Sequence, residues 1–208
     1  QIVYDVLANT QDMNIIEKPE PEDTPFYINN GTINVGNTNG KVILQTFSLE
    51  SLVRVAEVFQ GKVPMCFLLW KGTGATDLTY DDPLGYASFI NLGVKYKAHF
   101  IGPCIAGAPN DYPELDQPWQ DYLIHRAKMK NHPYTFDTYD QMAKYFGQYN
   151  FGVADGMFNP PYLDALFTNH SDMSINYMIT HGWRKSPASQ TLVDAREVLR
   201  KLGYLDNN

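Results

Sequence analysis

Residues 41–70 read KVILQTFSLESLVRVAEVFQGKVPMCFLLW, and this stretch decides the predicted fold. Its two ends, 41–47 and 63–70, are short and almost continuously apolar, which is typical of strands buried on both faces. Between them, Ser48 stands where a helix N-cap is favoured. A stripe of apolar residues at helical spacing follows it: Leu49, Leu52, Val53, Ala56 and Phe59. The stretch therefore predicts a strand–helix–strand unit with parallel strands.

The same alternation extends through much of the chain. Further strands are predicted at 14–19 (NIIEKP), 98–105 (AHFIGPCI), 131–136 (NHPYTF) and 162–169 (YLDALFTN). Helix starts are indicated by Asp82 followed by proline and by the T-x-x-Q capping box of Thr138. We also predict helices over IVYDVLAN near the start and after Ser186 near the end. The pattern is that of an α/β fold with a parallel sheet.

One segment departs from this pattern. Residues 24–40 have no helical period, and Asn30 and Gly31 lie there between two alternating runs, which is a strong hairpin signal. We interpret residues 24–40 as a hairpin insertion within a single domain that spans residues 1–208.

Composition excludes several classes of protein. The net charge of −7 and the scattered Lys and Arg residues argue against nucleic-acid binding, which needs a basic face. No apolar run reaches the 18 or so residues of a membrane span, so we expect no transmembrane segment. Cys66 and Cys104 lie within predicted strands, where we expect free, buried thiols, with a disulfide between neighbouring strands as the alternative.

Four segments carry a resemblance to a known family. VILQTF from Val42, AHFIGP from Ala98, HPYTF from His132 and LDALFTNHSD from Leu163 follow one another between residues 41 and 172. In order and spacing they resemble successive strand motifs of the glycerophosphodiester phosphodiesterases. The resemblance implies a β/α (TIM-type) barrel that lacks its first strands here. It also implies hydrolysis of a small glycerophosphodiester to glycerol 3-phosphate and an alcohol, with calcium or magnesium as cofactor.

The resemblance leaves the catalytic residues unassigned. In the family, two histidines and the first acidic metal ligands belong to H-R-G, E-N-T and E-x-D segments on the first two strands, before the part that this chain resembles. The third family strand has the pattern E-I-K, which implies that Glu17 is a metal ligand and Lys18 a phosphate contact. Here the two residues are adjacent, so a regular strand would point them to opposite faces.

The carboxyl ends of the predicted strands supply the other candidate binding residues, because working residues of parallel β/α folds lie there. Gln45 matches the family motif, and its amide is suited to donate to a phosphate oxygen or a glycerol hydroxyl. Trp70 and Tyr134 offer aromatic faces to glycerol or to a choline-like head group. His132 lies in the strand at 131–136 and is expected to line the cavity.

Three hypotheses for function stay open. The chain belongs to a phosphodiesterase, to a non-catalytic barrel that binds a phosphodiester or a partner protein, or to an unrelated α/β sugar-binding or assembly domain. A barrel that lacks strands has open edges, so we expect a homodimer, a missing N-terminal segment, or the chain's own hairpin and C-terminal tail to cover them. The family resemblance favours a periplasmic or secreted protein, with the cytoplasm as the alternative.

Overall fold

A computed structural model describes residues 2–9, 43–60, 63–70, 80, 82–148 and 163–181. The chain divides into two compact units, Gln1–Ser174 and Ile175–Asn208, and the sheet described below lies in the first. The predicted strand at 14–19, the hairpin at 24–40 and the helix after Ser186 lie outside the described residues, as do Glu17 and Lys18. The prediction of one domain over residues 1–208 stays a prediction.

Within the described residues, four parallel strands form one sheet in the order β1-β2-β3-β4. They are β1 Leu44–Thr46, β2 Met65–Leu69, β3 Phe100–Pro103 and β4 Lys130–Asn131. Each strand pairs with the next one along the chain. Because crossovers between parallel strands are right-handed, such a sequential order places the connecting helices on one face of the sheet. The predicted α/β fold with a parallel sheet is confirmed.

The helices of the described ranges begin largely where the sequence predicts them. They are α1 Ile2–Asn9, α2 Leu49–Phe59, α3 Pro83–Lys95, α4 Pro118–Arg126, α5 Tyr139–Ala143 with a π-helical turn at Lys144–Gln148, and α6 Ser171–Thr180. Ser48, Asp82 and Thr138 cap α2, α3 and α5 as predicted, each accepting a backbone N–H. Helix α6 was not predicted. None of the helices described is long and apolar enough to cross a membrane.

The helices cover one face of the sheet. Met65, Phe67 and Leu69 point to this face from β2 and pack in one apolar cluster with residues of α2, α3 and α4. The ring of Phe67 stacks on that of Phe89 in α3, with centroids 4.3 Å apart. Full burial of such a side chain contributes roughly 1.5–3 kcal/mol, so this cluster fixes the helices on the sheet.

The opposite face of the sheet is buried as well. Cys66, Leu68 and Phe100 point to it and are at most 5% exposed. A Cβ on Gly102 would lie 2.6 Å from Leu68 Cδ2 and 2.8 Å from Cys66 Sγ, so a side chain at this position of β3 would displace both of these packed neighbours. Both faces are therefore packed, as the continuous apolar runs predict. The prediction of free thiols is confirmed, because Cys66 and Cys104 are both buried and unbridged.

Two predicted strands need correction. The strand predicted at 131–136 is reduced to Lys130–Asn131 and an isolated bridge between Tyr134 and Cys104. The strand predicted at 162–169 is wrong over its described part, 163–169, which has no regular ladder. Phe167 nevertheless donates to the carbonyl of Pro133 and accepts from the N–H of Phe136. Pro133 explains the difference, because it has no N–H to give to a neighbouring strand.

Candidate functional site

Four aromatic side chains meet at the carboxyl edge of the sheet. Phe47 follows β1, Trp70 follows β2, Tyr112 lies in the loop after β3, and Tyr134 lies beyond β4. The Phe47 ring centroid is 6.0 Å from that of Trp70 and 5.6 Å from that of Tyr134, and Tyr112 and Tyr134 are 5.9 Å apart. We call these four residues the aromatic cluster. Working residues of parallel β/α folds lie at this edge.

The rings of the aromatic cluster are partly open to solvent. Phe47 and Tyr112 are each 42% exposed, and Trp70 and Tyr134 are half-buried. The interplanar angles of the three pairs are 68°, 87° and 62°, so the rings meet edge to face. Tyr134 Oη donates to the carbonyl of Leu69 at 2.9 Å, which ties its ring to the end of β2. The cluster thus has a fixed centre and two exposed rings beside it.

The loop that carries Tyr112 is anchored by side-chain amides. Asn110 Nδ2 donates to the carbonyl of Thr135 at 2.7 Å, and Gln141 Nε2 of α5 donates to the carbonyl of Gly107 at 3.0 Å. These bonds connect the β3–α4 loop to the segment after β4. They hold Tyr112 against Tyr134 although the two residues lie on different connections.

The two loops that flank the aromatic cluster are acidic. Residues 104–117 and 133–138 contain Asp111, Glu114, Asp116 and Asp137 and no Lys or Arg. Glu114 accepts from Lys144 Nζ at 2.8 Å and also contacts the Tyr145 hydroxyl, so its charge is offset from outside the loop. Asp137 accepts from the backbone and side-chain N–H groups of Asn169. Asp111 is exposed and adjacent to Tyr112.

The structure brings together some of the predicted site residues. Trp70 and Tyr134 both contact Phe47, which the sequence analysis did not single out. Gln45 is exposed on β1, two residues before Phe47, which lies just beyond the end of the strand. Tyr112 was missed as well. Phe47 directly follows β1 as Trp70 directly follows β2, and this position was the signal for Phe47, whereas nothing in the sequence pairs Tyr112 with Tyr134.

His132 is packed rather than open. Its ring is 5% exposed and lies 5.5 Å from the Phe100 ring and 4.1 Å from the Phe167 ring, measured between centroids. Burial lowers the pKa of His132 to about 4, so the imidazole is neutral at pH 7. Its predicted contact with a substrate stays a prediction.

The residues described do not fit the calcium or magnesium centre that the family resemblance implies. No group of three or more His, Cys, Asp or Glu side chains in the described ranges is arranged to hold a metal ion. The predicted ligand Glu17 lies outside those ranges.

A buried polar cluster lies between β4 and α4. Asn131 Nδ2 donates to Asp116 Oδ1 at 2.8 Å and to Asp121 Oδ1 at 3.0 Å, and all three residues are inaccessible to solvent. Burial raises the pKa of Asp116 well above its usual range, and the neighbouring charge of Asp121 raises it further. The pKa of Asp121 is also raised by burial. Asp116 therefore keeps its proton at pH values at which an exposed aspartate has lost it.

His125 extends this cluster to the segment after residue 163. Its Nδ1 lies 3.2 Å from Asp121 Oδ2 and its Nε2 lies 2.8 Å from Asp164 Oδ2. Asp164 also accepts from Lys130 Nζ at 2.9 Å and from the backbone N–H of Asn131 at 2.8 Å. Burial by itself lowers the pKa of His125, but the two carboxylates outweigh it and raise the pKa to about 10. We call Asp116, Asp121, His125, Asn131 and Asp164 the Asn131 network.

No protein-family model matches the chain, and no curated protein matches it. The resemblance to glycerophosphodiester phosphodiesterases therefore rests on the four sequence motifs. It stays a prediction.

Proposed function

We propose that the chain forms part of a β/α barrel that binds a glycerophosphodiester at the carboxyl edge of its sheet. In this proposal the protein hydrolyses the ester to glycerol 3-phosphate and an alcohol. A divalent metal and two acid–base histidines are then supplied by residues other than those described. The observation that carries the proposal is the aromatic cluster, which joins the predicted contacts Trp70 and Tyr134 through Phe47.

The arrangement of the sheet supports a barrel. Its strands follow one another in chain order, and helices α2 to α4 pack on one face. Doubly wound folds reverse their strand order at a switch point and cover both faces with helices, whereas barrels keep a sequential order with helices outside. In a barrel the face with Cys66, Leu68 and Phe100 is the interior, where tight packing is expected.

The chain's own residues bind and orient the ligand in this proposal. Gln45 is exposed on β1 and its amide donates a hydrogen bond to the phosphodiester or to the glycerol. Phe47, Trp70 and Tyr134 offer apolar ring surface at the carboxyl edge of the sheet. A ligand held in this way is restricted in orientation, which lowers the entropic part of the barrier to hydrolysis.

A second candidate is a barrel that binds the phosphodiester without cleaving it. The geometry of two histidines favours this candidate. His132 is packed between two phenylalanine rings, and both ring nitrogens of His125 face carboxylates. General acid–base catalysis needs an imidazole within hydrogen-bond reach of the reacting group, and neither ring is free to take that position.

Release of glycerol 3-phosphate from glycerophosphocholine tests the proposal. We expect turnover with calcium or magnesium that EDTA abolishes, and a loss of at least tenfold in kcat/KM on Trp70→Leu. Tyr4→Ala is the control, because Tyr4 packs on Phe59 at the other end of the sheet and its loss should leave turnover unchanged. Binding by calorimetry without turnover would establish the second candidate instead. Absence of both binding and turnover would reject both candidates.

A further inference from the structure

We propose that a cavity between the ends of α2 and α3 binds a small organic anion, a carboxylate or a phosphate ester that carries a flat apolar group. The cavity lies at the amino edge of the sheet, where these two helices lead back to β2 and β3. Because it shares no residue with the aromatic cluster, this site does not depend on the proposed function.

The size and the apolar lining of the cavity suit a small ligand. Its volume is about 410 Å³, within the range of roughly 300–1,000 Å³ that is usual for small-ligand sites. Val53 and Ala56 of α2 and the ring of Tyr96 line it. All three side chains are partly open to solvent, so a ligand that covers them removes apolar surface from water.

Two lysines give the cavity a positive charge. Lys95 and Lys97 both line it, and Lys95 Nζ lies 5.1 Å from the centroid of the Tyr96 ring. Neither lysine has a salt-bridge partner among the residues that the structure describes. Glu57 and Gln60 are the other polar residues of the lining, so two positive charges face one negative charge. An anion is therefore attracted, and its apolar part can pack on the adjacent ring.

The charges around the cavity favour an anion as well. Residues 95–99 and 126–131 lead into β3 and β4, and they contain five Lys or Arg residues and no Asp or Glu. The loops at the carboxyl edge have the opposite composition. A chain with a net charge of −7 thus concentrates positive charge at this edge of its sheet, which steers anions towards it.

The backbone of Lys97 shows that the end of α3 does not require a lysine. Its φ of 63° lies in the left-handed region, where glycine is favoured. The N–H groups of Lys97 and Ala98 donate to the carbonyls of Val94 and Gly93 at 3.2 Å and 2.9 Å, as in a Schellman cap. Glycine would form the same cap with less strain. The Lys97 side chain is therefore better explained by the cavity that it lines than by the cap.

Lys128 ends α4 in the same way and provides a matched control. Its φ is 61°, and the N–H groups of Lys128 and Met129 donate to the carbonyls of His125 and Ile124 at 2.9 Å and 3.2 Å. Lys128 is exposed and does not line the cavity. The two lysines thus share a backbone conformation and a sign of charge, and they differ in their position relative to the cavity.

Titration of the isotope-labelled chain with four probes, followed through amide NMR shifts, tests the site. We expect phenyl phosphate and benzoate to shift the amides of residues 95–97, and the tighter of the two identifies the anionic group. Inorganic phosphate lacks the apolar group and benzylamine lacks the negative charge, so each should bind at least about fivefold more weakly than phenyl phosphate. Absence of shifts at residues 95–97, or equal affinity for either of these two probes, would overturn the proposal.

Three variants test the role of the lysines. Lys97→Gly should weaken phenyl phosphate binding by about threefold or more without lowering the thermal midpoint, because glycine suits the left-handed position. Lys95→Gln leaves the cap intact and should weaken binding by a similar factor. Lys128→Gly should keep the parent affinity. Unchanged affinity in both Lys97→Gly and Lys95→Gln, or an equal loss in Lys97→Gly and Lys128→Gly, would reject the cavity as the site.

Discussion

The aromatic cluster and the Asn131 network lie within a few residues of each other around β4, yet they are built in opposite ways. In the network, buried carboxylates, an amide and an imidazole bind one another, and little of this polar surface is left for a ligand. In the cluster, the central ring is tied to the sheet while Phe47 and Tyr112 stay 42% exposed. We expect the network to serve stability, and the proposed function gives recognition to the cluster.

We expect the largest loss in the free energy of unfolding from a substitution at Asn131, the centre of the network. Asn131→Leu keeps the branched shape and the number of non-hydrogen atoms but removes the amide that donates to Asp116 and Asp121, and we expect a loss of about 3 kcal/mol in the free energy of unfolding. Urea unfolding at pH 7 measures it. Asn91→Ala, on the exposed surface of α3, is the matched control and should change little. Similar losses in both variants would contradict a structural role for the network.

His125→Gln tests the ionic part of the network through pH. The folded pKa of about 10 lies above the ordinary 6.5, so the stability from His125 is complete below about pH 6.5 and is lost as the pH rises through 10. At pH 6 we expect His125→Gln to lose about 1 kcal/mol in the free energy of unfolding. The loss is this small because the ring is 39% exposed and solvent screens its charge. The difference from the parent protein should shrink towards pH 10.5 in urea unfolding.

Asp164 makes the free energy of unfolding depend on pH in the acid range as well. Hydrogen bonds from His125, Lys130 and the Asn131 N–H outweigh burial and lower the pKa of Asp164 below 3.8. Its contribution is therefore present above pH 3.8 and lost as the pH falls through the lower folded value. His170→Gln, at an exposed position, should follow the parent protein at every pH. A difference that does not vary with pH would show that His125 acts through packing alone.

At Asp116 we expect a smaller change in the free energy of unfolding, and its dependence on pH is opposite in sign to that of Asp164. Its pKa is raised by burial, so the folded state holds a proton that the unfolded state releases, and folding becomes less favourable as the pH rises above 3.8. Asp116→Asn cannot ionise and still offers an acceptor to Asn131. From pH 4 to pH 8 we expect the variant to gain on the order of 1 kcal/mol relative to the parent. Exposed Asp111→Asn should show no such trend, and a steady loss in Asp116→Asn would reject the protonated state.

The smallest effect is expected in the aromatic cluster. Tyr112→Ala removes one edge-to-face ring contact at an exposed position and should cost about 0.5–1 kcal/mol in the free energy of unfolding. Tyr112→Phe keeps the ring and should cost less. Thermal unfolding of both variants checks this. A loss as large as that of Asn131→Leu would remove the distinction between a structural and a recognising region.

Local sequence signals predicted much of the fold. Ser48, Asp82 and Thr138 each begin a helix because their side chains accept backbone N–H groups within the same turn. The apolar runs of β2 and β3 indicated strands buried on both faces, and the sheet has that arrangement. The strand ends also indicated Trp70 and Tyr134 as neighbours at one edge. These features depend on residues near in the chain or on the common direction of parallel strands.

The remaining features were decided by tertiary contacts. Asp164 meets His125 and Asn131 across more than thirty positions of sequence, and Tyr112 reaches Tyr134 through a loop held by Asn110. A local pattern carries no information about such pairs, because the contact depends on how separate connections pack. The sequence thus determined the strands, the helix starts and the edge where the rings lie. Only the tertiary structure decided which polar groups are buried together and which rings stay open.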